Sequence, residues 1–138
     1  MIRLEHVNIV VRDLDETLAF YQAAFPHWKV RGGGENIRYG MASNWLHFGD
    51  DYHYLAFSDH GIEDGRDLKT SQIGLAHIAF TVSNLDALII RLESAGYQIA
   101  INGAEDPSHK SVYFIDPNGI EVEFVEYLTD LPSERNRY

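Results

Sequence analysis

"HVNIVVRDLD" at residues 6–15 and "HIAFTVSNLD" at residues 77–86 align without a gap, and that pairing decides the fold. His6 matches His77, Val7 matches Ile78, Ile9 matches Phe80, Val11 matches Val82, Leu14 matches Leu85 and Asp15 matches Asp86. In each copy apolar side chains recur at every second position, as in a strand with one covered face. Each strand then meets a helix-capping side chain, Asp13 or Asn84, whose oxygen satisfies a free amide of the first turn. Leu14, Leu18, Tyr21 and Phe25 follow at helical spacing in the first copy, and Leu85, Leu88, Ile89 and Leu92 in the second. Pro26 disfavours helix at Phe25 and Gly96 suits a helix end, so the two helices are expected to stop near those residues.

Working outward, "HWKVRG", "IRYGMAS", "WLHFG" and "YHYLAF" read as strand material after the first helix, and "YQIAIN", "KSVYFID" and "IEVEFVEY" after the second. The expected class is α+β, one domain made of two βαβββ modules. The polar, glycine-bearing stretch "SDHGIEDGRDLKTSQ" has no sustained periodicity and reads as a surface loop or lid. It separates a first module at about residues 1–58 from a second at about 73–128, with a linker at 59–72 and a fraying polar tail at 129–138. "RGGGEN" reads as a turn, because no phosphate-binding lysine motif accompanies it. "HFGDDYHYLAF" echoes "YFIDPNGIEVEF" if the second turn is two residues longer, which pairs Phe48 with Phe114, Asp50 with Asp116 and Leu55 with Glu123.

The bulk numbers bound the chemistry. A chain of 138 residues, 45% hydrophobic and 23% charged, buries an ordinary core without disulfides or a structural metal. There is no cysteine, which excludes thiolate chemistry and fits a reducing compartment. A net charge of −10 opposes non-specific binding to nucleic-acid phosphates, and no basic stripe offsets it. No apolar run approaches the roughly 18 residues of a membrane span, and the N-terminus lacks the layout of a signal peptide. The cytoplasm is the expected location.

Alternation sorts side chains onto two faces. Val7, Ile9, Val11, Ile78, Phe80 and Val82 form the apolar side that should take the helices, with Phe48, Phe114, Val122 and Phe124. The opposite face receives His6 and His77, Glu121 and Glu123, and Trp45, His47, Ser111 and Tyr113. Such a surface is too polar for a packed core and too aromatic for bare solvent, and reads as the lining of a cleft. Matched histidines serve either as hydrogen-bonded structural residues or as metal ligands. If His6, His77 and Glu123 converge, two imidazoles and a carboxylate suit a divalent transition metal and leave positions open for substrate. His53 reads as a surface residue, and His27, His60 and His109 as solvated loop residues.

The doubled module, with "HVNIVVRDLDETLAFY", "LAHIAFTVSNLD" and above all "VYFIDPNGIEVEF", resembles the vicinal oxygen chelate superfamily. That superfamily includes glyoxalase I, methylmalonyl-CoA epimerase, extradiol dioxygenases, and fosfomycin and bleomycin resistance proteins. The resemblance implies curved mixed sheets around a cleft with helices outside, metal ligands at His6, His77 and Glu123, and a homodimer. It puts the fourth ligand of glyoxalase I on or near Leu55, where leucine cannot coordinate. Two histidines and one carboxylate look more like the extradiol dioxygenases, whose upstream histidine is not found here, since His109 lies too close to Tyr113. The resulting expectation is an enzyme using Fe, Mn, Ni or Zn, of lyase, isomerase or dioxygenase type, on a small oxygen-chelating substrate. Glu123 and Tyr113 are its expected catalytic residues, His47 is an alternative proton carrier, and Trp45, His47, Leu55 and Ser111 line the substrate site. The alternative is a non-catalytic protein that sequesters a small molecule or antibiotic.

Overall fold

In the computed structural model, which describes residues 1–138 apart from the side chains of residues 104 and 105, the chain forms two compact units, Met1–Glu63 and Asp64–Tyr138. The first runs β1 (His6–Val10), α1 (Leu14–Ala24), β2 (Lys29–Arg38), β3 (Met41–Gly49) and β4 (Tyr54–Ser58). The second runs β5 (Ile78–Thr81), α2 (Leu85–Ser94), β6 (Ile101–Glu105), β7 (His109–Ile115) and β8 (Glu121–Tyr127), followed by a short helix α3 (Pro132–Arg135). The sheets have matching orders, β1-β4-β3-β2 and β5-β8-β7-β6, each with one parallel pair at the first strand and antiparallel pairs elsewhere. No helix of the described residues is long and apolar enough to cross a membrane.

Both helices begin where the sequence predicts. Asp13 accepts the Glu16 amide at 2.8 Å and Asn84 accepts the Ala87 amide at 3.0 Å, each satisfying a donor the helix cannot. Helix α2 ends in a Schellman turn: Gly96 takes φ +95, its amide reaches Glu93 and the Tyr97 amide reaches Leu92. Leu85, Leu88 and Leu92 are the buried face of α2, as their spacing requires. On α1 the buried face is Thr17, Phe20, Tyr21 and Ala24, so the expected stripe through Leu14, Leu18 and Phe25 is its half-buried flank. Thr17 is tolerated inside because its hydroxyl donates to the Asp13 carbonyl at 2.7 Å.

Against these helices lie Ile9, Val11, Phe48, Leu55 and Phe57 in the first unit, and Val112, Phe114, Val122 and Phe124 in the second, all buried. The Tyr21 and Phe57 rings sit 5.3 Å apart, and Phe114 meets Phe124 edge-on at 6.1 Å. Burial of such rings is the main stabilising term in each unit.

The structure corrects several local expectations. Gly32, Gly33 and Gly34 are not a turn but lie inside β2, paired with His47, Leu46 and Trp45 across a register shift that follows Val30. A Cβ on Gly33 would lie 2.6 Å from the Trp45 carbonyl oxygen, so the run lets two backbones approach. The turn is instead Tyr39-Gly40, both at positive φ, the two-residue hairpin that matches strand twist. "YQIAIN" is strand only from Ile101, because the Schellman turn still occupies Tyr97. His109 is a half-buried strand residue against Asp106 and Tyr127, not a solvated loop residue. The tail does not simply fray: Arg135 places its guanidinium 4.8 Å over the Tyr127 ring and donates to the Thr129 carbonyl. In the linker region Arg66 donates to the carbonyls of Thr70 and Gln72 and ties that loop to itself.

Candidate functional site

The repeat and the register together define one open face per sheet. In the second unit Ala79 pairs with Glu123 across the parallel β5–β8 ladder, and Tyr113 pairs with Glu123 across β7–β8. Side chains of such partners share a face, so His77, Glu121, Glu123 and Tyr113 come together away from α2. His77 lies between the two carboxylates: Nε2 is 3.3 Å from Glu123 Oε2 and Nδ1 is 3.8 Å from Glu121 Oε1. The Tyr113 ring stands edge-on to the imidazole, with centroids 5.5 Å apart, and its phenol donates to Glu123. Burial, then the hydrogen bond to Glu123 and the charges of Glu123 and Glu121, push the phenol up to about 12. At neutral pH Tyr113 is therefore a proton donor and not a base.

The donor geometry fits a metal at two corners. Two ligands bound to one ion at about 2.1 Å and roughly 90–110° apart lie about 3.0–3.4 Å from each other. The His77–Glu123 separation of 3.3 Å falls in that range, and Glu121 stands on the ring nitrogen that faces away. Among the described residues no group of three or more His, Cys, Asp or Glu side chains is arranged to hold an ion, so the second unit presents a pair of donors.

In the first unit the same face carries His6, His47, Tyr54 and Trp45. His6 stacks on Tyr54 at 4.6 Å and 11°, His47 stacks on Tyr54 at 4.4 Å, and Trp45 tilts against His47 at 4.9 Å. The Arg31 guanidinium sits 4.6 Å from the Tyr54 ring centre. Glu5 accepts the Tyr54 hydroxyl at 2.9 Å and lies 3.2 Å from His6 Nδ1, and these two contacts hold its carboxyl below the usual range. Burial, then the charges of His6 and Arg31, lower the His47 imidazole, which leaves it neutral at neutral pH.

Leu55 is not on this face. It pairs with Val7 and Phe48 on the helix side and is 1% exposed, so it neither lines the site nor marks a ligand position. Asp50 and Asp116 organise equivalent turns through their own side chains, and the second turn is longer by one residue, not two. The counterpart of Glu123 is thus Ala56, which pairs with Asn8 as Glu123 pairs with Ala79, and the counterpart of Glu121 is Tyr54. Ser111 belongs to the open face of the second unit but is buried beside Gly103, where an added Cβ would strike its hydroxyl.

A groove of about 250 Å³ lies on the open face of the first unit, lined among others by Asn8, Val10, Arg38, Ser43, Ser58 and His60. Asn8 and Val10 alternate with buried Ile9 and so share the face of His6, but Arg38 and Ser43 reach the groove only through the long β2–β3 hairpin, which the glycine run conceals. His60 is not a solvated loop residue: its Nδ1 is buried and has no hydrogen-bond partner among the described residues.

A glyoxalase family protein from Bacillus cereus superposes on this chain with a TM-score of 0.76 at 19% identity, covering 94% of this chain and 96% of that one. A glyoxylase/bleomycin resistance protein/dioxygenase domain from Frankia sp. gives 0.74 at 25% identity, covering 92% and 98%. The fosfomycin resistance protein FosX from Listeria monocytogenes, solved with Mn(II) and sulfate, gives 0.67 at 22% identity and covers 98% of each chain. The family model matches residues 3–124, which span both units and both open faces, and the chain therefore belongs to the Glyoxalase/Bleomycin resistance protein/Dioxygenase superfamily.

Proposed function

We propose that this protein is a divalent-metal-dependent enzyme of lyase, isomerase or dioxygenase type that acts on a small substrate with adjacent oxygen atoms. The observation that carries the reading is the His77 Nε2 to Glu123 Oε2 separation of 3.3 Å, the spacing of two ligands on one ion. His77 and Glu123 are the proposed metal ligands, and His6 is the third on the strength of the repeat and the family resemblance. A bound Fe, Mn, Ni or Zn ion would supply Lewis acidity that stabilises negative charge on a substrate oxygen. Tyr113 holds the Glu123 carboxylate through its phenol and keeps its proton at neutral pH, so it serves as a hydrogen-bond or proton donor to a substrate oxygen. His47 is neutral in the same range and is the alternative group for proton transfer. Trp45 and the groove at Asn8, Arg38 and Ser58 supply the walls for the substrate's organic part. The family resemblance supports a homodimer, which sedimentation at working concentration tests.

Chelator-stripped protein should take up Mn(II), Ni(II), Zn(II) or Fe(II) and melt later when metal is in excess, by about 2.7 kcal/mol of added stability at a hundredfold excess over Kd. His77→Ala and Glu123→Ala should each abolish that shift, with the fold retained. If the wild-type chain gains nothing from any of the four ions, the enzyme reading falls and a small-molecule binding protein replaces it.

A further inference from the structure

We propose that the groove on the open face of the first unit is an anion subsite, and that the substrate is a small organic acid whose carboxylate or phosphoryl oxygens pair with Arg38. The proposal rests on the reading of this groove as part of the substrate site, names the class of molecule it takes, and involves no metal ion.

Every strand of the first sheet contributes to the groove from the same face. Asn8 alternates with buried Ile9 on β1, and Ser58 with buried Phe57 on β4. Arg38 on β2 and Ser43 on β3 pair across the hairpin with Met41 and Asn36, which line the groove as well. Its 250 Å³ equals about eight waters at about 30 Å³ each, room for a small acid or the acidic end of a longer one.

Charge is sorted across this sheet. The groove is lined by a guanidinium and by no carboxylate, in a chain whose net charge is −10. Glu35 alternates with Asn36 and so belongs to the other face of β2, and Asp59 is held by the backbone and side-chain amides of Asn44 at 2.7 and 3.0 Å. Among the described residues Arg38 has no carboxylate partner, and its guanidinium lies 5.3 Å from the Tyr39 ring centre. The polar groups beside it are unspent too. The Ser58 hydroxyl reaches Asn8 Oδ1 only at 3.5 Å, long for such a bond, and the buried Nδ1 of His60 has no partner among the described residues. An exposed arginine alone holds an anion weakly, because water competes. Hydroxyl and amide donors in the same groove add charge-assisted hydrogen bonds, and the planar guanidinium fork fits two oxygens of one anion.

The test titrates the ¹⁵N-labelled full chain, stripped of metal on a chelating resin and kept at low ionic strength, with benzoate, phenylphosphonate and neutral benzamide. Signals of Asn8, Arg38, Ser43 and Ser58 should shift with benzoate or phenylphosphonate, and the tighter of the two identifies the anion. Benzamide, close to benzoate in shape, should bind about tenfold more weakly or worse. Arg38→Met should weaken the anions about tenfold and leave benzamide unchanged, while Arg38→Lys keeps the charge without the fork and should restore part of the loss. Arg38 is exposed, so both variants should melt with the wild type. Anion binding that survives Arg38→Met, benzamide that binds as tightly as benzoate, or no shift at these residues overturns the proposal. If the anion binds as stated while no metal ion binds the wild type, the subsite stands and the metal reading is what fails. If metal ions bind and no anion does, the organic-acid class alone falls.

Discussion

Where the second unit carries Glu123 the first carries Ala56, and where the second carries Glu121 the first carries Tyr54. Tyr113 is matched by His47, and Ser111 by Trp45, through the common position of Phe48 and Phe114. On the helix side the two units differ far less: Leu55 answers Val122, Phe57 answers Phe124 and the capped helices begin alike. Duplicated modules have thus kept one face and diversified the other. The conserved half of the comparison follows from physics, since a helix on a sheet must bury an apolar surface to be stable at all. The open face carries no such demand. It has become a carboxylate-bearing histidine site in one unit and an aromatic, groove-lined surface in the other.

The strongest way to break the comparison is to attack the shared core at matched positions. Phe57 and Phe124 are each fully buried, and Phe57→Ala and Phe124→Ala should each cost about 3–5 kcal/mol in urea or thermal unfolding. The two losses should agree within about 1 kcal/mol. A loss confined to one variant would mean that the helix-and-sheet cores are not equivalent.

A second pair of substitutions sharpens the comparison at the strand bulges. Gly33 follows a register shift in β2 and Gly103 lies within one in β6, and each lies against the backbone of its neighbouring strand. A Cβ would fall 2.6 Å from the carbonyl oxygen of Trp45 in the first case and of Ser111 in the second. Neither carbonyl yields without bending its strand, so Gly33→Ala and Gly103→Ala should each destabilise by about 1–3 kcal/mol. Gly32→Ala is the control, because nothing lies within 4 Å of a Cβ there.

These details mark how far the chain could be read by eye. The repeat, the caps and the helix-facing rows were legible because each leaves a periodic apolar trace. Strand β2 leaves only a broken one: all ten of its residues are exposed and three are glycine, so its ends read as strand while its middle, "RGGGEN", passed for a turn. His6, His77, Glu123 and Tyr113 lie on the faces that alternation assigned to them, whereas Leu55 was placed wrongly. That placement hung on whether one turn exceeds the other by one residue or two, and a single-residue slip exchanges the faces of a strand. The groove at Arg38 and His60 was hidden for another reason, since it joins residues that only the hairpin brings together.

The smallest effect expected is also the most specific to the divided chemistry. His47 and Tyr113 hold matched positions, yet their surroundings push them in different directions and at opposite ends of the pH scale. Tyr113 has a folded-state pKa of about 12, above the ordinary value of 10.0, so the fold favours the protonated phenol. Its contribution is complete below the unfolded value and is lost as pH rises toward the folded one. His47 is lowered from 6.5, so the fold favours the neutral ring. Its contribution is present above that value and is lost as pH falls through the lower folded pKa. Urea midpoints of metal-free wild type, His47→Phe and Tyr113→Phe across this range separate the two. The wild-type advantage over Tyr113→Phe should shrink only above about pH 10, and the advantage over His47→Phe only below about pH 6.5. Parallel curves for both variants would show that the two positions share one environment, and the division of chemistry between the units would then have to lie in Glu121 and Glu123 alone.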